Sequence, residues 1–163
     1  MRFLLLAVLP FFFACGQNKE KVKDVLVAGV KVKPIPGLVA TTLHDGFTSK
    51  EFKQDKTTDG ELSVLTSTEN NENHEFKVSS SVTNTNKVIS VQASVVSMLS
   101  LDQAAKDFIA QVASIQYQYA DPQKAKEWVL ANFDKAGETT IGDVNFQIIL
   151  NNETSRTLKI YVP

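Results

Sequence analysis

Beyond residue 24 the spacing of apolar residues changes several times, and each change predicts an element. Val25 to Lys33 alternates or runs apolar and predicts a strand, which Pro34-Ile-Pro36 breaks. Ile35, Leu38, Val39, Thr42 and Leu43 then fall near helical spacing. Asp45-Gly46 ends this short helix, because glycine enters the left-handed conformation cheaply. From Phe47 the period shortens. Phe47 to Phe52 reads as a weak strand, Asp59-Gly60 as a turn, and Glu61 to Thr68 as a second strand. A polar stretch at Glu69 to Asn73 turns the chain again. His74 to Ser80 alternates with Phe76 and Val78 on one face, Thr83 to Asn86 turns, and Lys87 to Val95 sets Val91, Ala93 and Val95 on one face.

A helical period follows. Ser100-Leu-Asp-Gln103 fits a capping box, and Leu101, Ala104, Ala105, Phe108, Val112 and Ile115 form one stripe. Asp121-Pro122 starts a second helix, with the aspartate as N-cap and the proline in the first turn. Its inner face is Ala125, Trp128, Val129 and Phe133, and Gly137 ends it. Val144 to Leu150 and Thr157 to Val162 are strands around a turn at Asn151 to Ser155. Strands and helices in runs, rather than strict alternation, predict an α+β fold: an antiparallel meander with helices packed on one face. The other strand faces are rich in Ser and Thr, as a water-facing side would be.

The N-terminus is different. After Met1 and Arg2 come twelve uncharged residues, Phe3 to Ala14. That is too short to cross a bilayer core as a helix but matches the apolar centre of a secretory signal. Polarity then rises abruptly at Gly16 to Lys23. Between the two stands Cys15, the only cysteine of the chain and so without an intramolecular disulfide partner. Ala14-Cys15 resembles the lipobox of bacterial lipoproteins, although Phe12 and Phe13 stand where that pattern more often has leucine and a small residue. The resemblance implies removal of residues 1–14 and acylation of Cys15, with residues 15–24 as a flexible tether and 25–163 as a single domain. The same resemblance implies that Gly16 and Gln17, which lack the family's acidic retention signal, favour the outer membrane in a cell that has one. The alternatives are a buried core segment with an ordinary cysteine, and plain signal cleavage without lipid.

Composition narrows the partners. The chain carries 17 basic and 18 acidic residues, and loss of Arg2 with the signal leaves the mature chain near −2. No basic excess exists to neutralise phosphates, so nucleic acid is not an expected partner. No cofactor motif stands out, and a phosphate-cradling loop finds little support in seven glycines. His44 beside Asp45 reads as a solvated helix end, and His74 as an exposed strand start. Neither has metal-ligand or catalytic spacing. Asp55, Asp59 and Glu61 read as a solvated turn rather than a calcium loop. Asp102, Asp107, Asp121, Glu127 and Asp134 could in principle pair for acid–base work. Asp102 and Asp121 read as caps, and the others as charged helix faces. Tyr117, Tyr119 and Trp128 either seal the helix junction on the sheet or line a recognition surface.

These readings converge on a membrane-anchored, non-catalytic envelope module that contacts a protein or envelope polymer. Two alternatives stay open: an envelope enzyme with an atypical carboxylate or Ser/Thr site, and a carrier of a small apolar ligand lodged near Phe108 and Trp128.

Overall fold

The computed structural model describes residues 23–27, 29–47 and 52–163. The expected signal, Cys15 and the tether up to residue 22 lie outside them, as do residues 48–51 of the strand expected at 47–52. The described chain is α+β. Its elements are β1 (Val25–Val27), β2 (Val30–Val32), α1 (Ala40–Asp45), β3 (Lys53–Asp59), β4 (Leu62–Asn70), β5 (His74–Thr83), β6 (Val88–Ser97), α2 (Gln103–Ala113), α3 (Pro122–Asn132), β7 (Gly137–Ile141), β8 (Val144–Asn152) and β9 (Ser155–Tyr161).

Seven strands form one antiparallel sheet in the order β3-β4-β5-β6-β9-β8-β7. It contains two meanders, β3 to β6 and β7 to β9, joined where β9 pairs with β6. The single strand expected over 25–33 is instead a small hairpin of β1 and β2, because Gly29 takes a left-handed turn at φ 79°. Lys33 Nζ donates to the Pro163 carbonyl, and Ile35 N to Val88 O, which ties this segment to the main sheet.

Burial alternates along the strands. His74, Phe76, Val78, Ser80 and Val82 of β5 are buried, as are Val91, Ala93, Val95 and Ser97 of β6. Register continues this row across the sheet: Val78 faces Ala93, Ala93 faces Leu158, and Leu158 faces Ile148. Helix α2 adds Ala105, Phe108, Ile109 and Val112, and contacts β5, β6 and β9. Helix α1 contacts β4 and β5, while α3 contacts α2, β7 and β8. Each large apolar side chain so buried contributes about 1.5–3 kcal/mol.

Two helix starts differ in how well spacing forecast them. Asp121 caps α3 by accepting from Lys124 N at 3.1 Å, with Pro122 in the first turn, as expected. Helix α2 begins two residues later than its expected box: Asp102, not Ser100, is the N-cap and accepts from Ala105 N at 3.1 Å. Ser97 Oγ instead donates to the Ser100 carbonyl and holds that segment in a turn. Ile115 falls beyond the end of α2 and is half-buried.

Both edge strands escaped the spacing argument. Most of the expected Phe47–Phe52 strand lies outside the described residues, and the edge strand that is described is β3 at Lys53–Asp59, which contains no apolar residue. Strand β7 starts at Gly137, where the spacing read only the end of a helix. Among the described residues no helix is long and apolar enough to cross a membrane.

Candidate functional site

A buried imidazole beside serines suggests nucleophile chemistry. Contrary to the exposure expected for His44, its side chain is buried under α1. Nδ1 lies 2.7 Å from Ser67 Oγ on β4, and Nε2 lies 2.8 Å from Ser80 Oγ on β5. A neutral ring offers one donor and one acceptor, and both are used here. Burial holds the His44 pKa below its ordinary value, with Asp45 pulling the other way. Ser67 and Ser80 are 0% and 1% exposed, so no substrate reaches either hydroxyl. The trio is a polar lock between helix and sheet.

His74 is buried too, against expectation. Its ring stacks on Phe76 at 5.2 Å. Nε2 is 3.2 Å from Asp102 Oδ1 but off the direction of a hydrogen bond. The hydrogen bond from Ala105 N holds the Asp102 carboxyl below its ordinary value, opposed by desolvation and helped by His74.

The carboxylates do not converge. Asp102 and Asp121 cap helices. Asp107 accepts from Gln103, Glu127 from Gln123, and Asp134 pairs with Lys106 at 2.9 Å. Among the described residues no three His, Cys, Asp or Glu side chains gather as a metal site would require.

The aromatic trio is dispersed. Tyr117 is buried and its hydroxyl donates to Ile141 O at 2.7 Å, so it belongs to the core and not to a surface. Burial, then Asp121 and Asp143, push that hydroxyl up to about 12. Tyr119 is half-buried with φ 66°, and its hydroxyl accepts from Gln118 Nε2. Trp128 is half-buried, its ring edge 3.6 Å from where a Cβ on Gly137 would stand.

What the strands do bring together is the set of side chains that alternates with the core row. On β4, β5 and β6, Val64, Lys77, Ser79, Ser81, Ser90, Gln92 and Ser94 line a depression of about 310 Å³. A second depression, about 440 Å³, is lined by Ser90, Val91, Gln92, Gln147, Lys159 and Tyr161. The two share Ser90 and Gln92 and so form one trough across five strands, from β4 to β8. Short serines alternate there with longer Lys, Gln and Tyr side chains, and Gln92 stands where the two depressions adjoin. Tyr161 is steadied by Glu138, which accepts from its hydroxyl at 2.8 Å and from Asn145 at 2.8 Å. Thr66 and Ser79 hydroxyls meet at 3.2 Å on the same face.

No protein-family model matches the chain, and neither a curated protein nor a solved structure matches it. The trough therefore carries the functional reading on its own chemistry. Sequence spacing had marked these positions only as water-facing Ser and Thr. The approach of β9 to β6, which brings Lys159 and Tyr161 beside Ser90, has no local signature.

A second feature lies between α1, β5 and α2. A groove of about 500 Å³ is lined by Phe47, Phe52, Phe76 and Phe108, with Glu69, Asp107 and Gln111 along it. The rings pack edge-on and offset, with Phe76 and Phe108 centroids 4.9 Å apart. Trp128 is not part of its lining.

Proposed function

We propose that the chain is a lipid-anchored cell-envelope protein that works by binding, not by catalysis. Acyl chains on Cys15 hold it at a membrane, with the outer membrane favoured in a two-membrane cell. The tether of residues 15–24 lets the domain stand off. All three helices cover one face of the seven-stranded sheet, and the opposite face meets an envelope protein or polymer. Anchoring raises the local concentration of that face for partners at the same membrane. The observation that supports this reading is the continuous polar trough sharing Ser90 and Gln92.

Two measurements test it. Cys15→Ala is expected to move the protein from the detergent phase to the aqueous phase, and unchanged partitioning would refute the anchor. Ser90→Tyr with Ser94→Tyr fills the trough with residues that suit strands. The full chain so changed is expected to keep its circular dichroism and lose sedimentation with cell-envelope fragments. Retained sedimentation would remove the trough as the working surface.

The aromatic groove favours a second reading, a carrier of a small apolar ligand. Its volume falls within the range of small-molecule sites. The Cys15→Ala chain, assayed without detergent, would then bind a fluorescent fatty-acid analogue and lose it on Phe52→Asp. No binding excludes the carrier.

A further inference from the structure

The geometry points to an acidic, hydroxyl-rich glycan chain as the ligand of the trough, a reading that rests on this face being the working surface. Ser79, Ser81, Ser90, Ser94, Gln92 and Gln147 supply groups that both donate and accept. Sugar hydroxyls have the same dual character, so a polyol can satisfy them in many arrangements. A protein partner asks for something else, an apolar centre with a polar rim. Here the middle strand β6 offers Ser90, Gln92 and Ser94, its Val91 is buried, and the more exposed apolar groups, Val64 and Tyr161, stand on β4 and β9.

Charge selects among glycans. Lys77 and Lys159 both line the trough, and among the described residues no carboxylate does. Among the described residues neither lysine forms an ion pair. Asp55, Glu75 and Glu138 lie on the same face by register, opposite Thr66, Val96 and Gln147, but outside the lining. The ligand is therefore anionic.

Spacing then separates a chain from a single anion. Lys77 faces Ser94 on β6, and Lys159 faces Gln92 on β6, so the lysines sit on either side of that strand, two residues out of step. Strand spacing and rise put their Cα atoms roughly 12 Å apart. Extended side by side from the sheet the two ammonium groups stand apart, and drawing both onto one small anion would cost side-chain entropy. They suit anionic groups repeated along a polymer. From β4 to β8 the trough crosses four inter-strand steps, about 19 Å. That length accommodates several sugar units laid across the strands.

The test uses the full chain in a polyoxyethylene detergent, which carries no sugar headgroup. Fluorescence anisotropy is read with labelled oligogalacturonate, which bears one carboxylate per sugar. Neutral malto-oligosaccharide and polyphosphate are the comparison probes. Oligogalacturonate is expected to bind most tightly, and more weakly as salt rises. Lys77→Gln with Lys159→Gln is expected to weaken it roughly tenfold, whereas Lys124→Gln with Lys126→Gln on α3 leaves it unchanged. Equal loss in the α3 variant would show general charge attraction and overturn the site. A preference for polyphosphate would overturn the glycan in favour of a phosphate polymer, and a neutral preference would overturn the role of the lysines. If no glycan binds while the Ser90→Tyr/Ser94→Tyr chain still loses envelope sedimentation, the ligand class is wrong and the surface stands. If that chain keeps sedimenting, the surface itself is wrong.

Discussion

Single residues in this protein act through what they would leave behind. Removing the His44 imidazole strands two buried hydroxyls, Ser67 and Ser80. His44→Ala is expected to cost about 2–4 kcal/mol in urea unfolding, from two lost bonds and the unsatisfied groups. The same imidazole makes stability depend on pH. Its folded pKa lies below the ordinary 6.5, so as pH falls past that value the unfolded chain takes up a proton that the folded chain refuses. Stability is expected to decline as pH drops below about 6.5 and to show no His44 dependence above it. A His44→Gln variant flattens that decline, and an unchanged slope would count against the lock. Gly142 is constrained from the other direction. It sits at φ 59°, and a Cβ there would stand 2.2 Å from the Tyr119 carbonyl. Gly142→Ala is expected to cost about 2–4 kcal/mol, because both the dihedral and the space oppose it. None of this was legible in the chain. His44 meets serines 23 and 36 residues away, and serine is too common to mark a partner.

At the scale of elements, the strands and helices that bury an apolar stripe were readable and those that do not were not. Strands β4, β5, β6, β8 and β9 and helices α2 and α3 all carry residues at a period of 2 or 3.6. The missed strands, β3 and β7, are the two edges of the sheet. An edge strand covers little core, so selection for an apolar face is weak there. Strand β3, with Lys53, Lys56 and Asp55, instead carries charges that discourage pairing with another chain. Lys56→Val with Thr58→Val is expected to leave the fold intact and promote concentration-dependent association, read by light scattering. The helix starts show the same division. Both caps are aspartates, but only proline at position 122 marks which residue begins its helix. Asp102→Ala is expected to lower the thermal unfolding midpoint, because the Ala105 N–H loses its cap.

For the whole molecule the decisive contact is β6 with β9. It fuses two meanders into one sheet, completes the core row from Val78 through Ala93 and Leu158 to Ile148, and creates the trough on the opposite side chains. The α+β class followed from the order of elements, but that order allows several sheets, and nothing local names β6 as the neighbour of β9. Deleting Ser155–Tyr161 is expected to abolish cooperative thermal unfolding of the entire chain. A surviving transition would show that β3 to β6 with α1 and α2 fold as an independent unit. The same contact also sets a timetable. When β6 leaves the ribosome, its future neighbour is still untranslated, two helices and two strands further downstream in the message. Until that neighbour appears, Val91, Ala93 and Val95 sit on a strand with a raw hydrogen-bonding edge, and the nascent chain stays loose. Such a delay exposes the chain to aggregation until the last strand arrives.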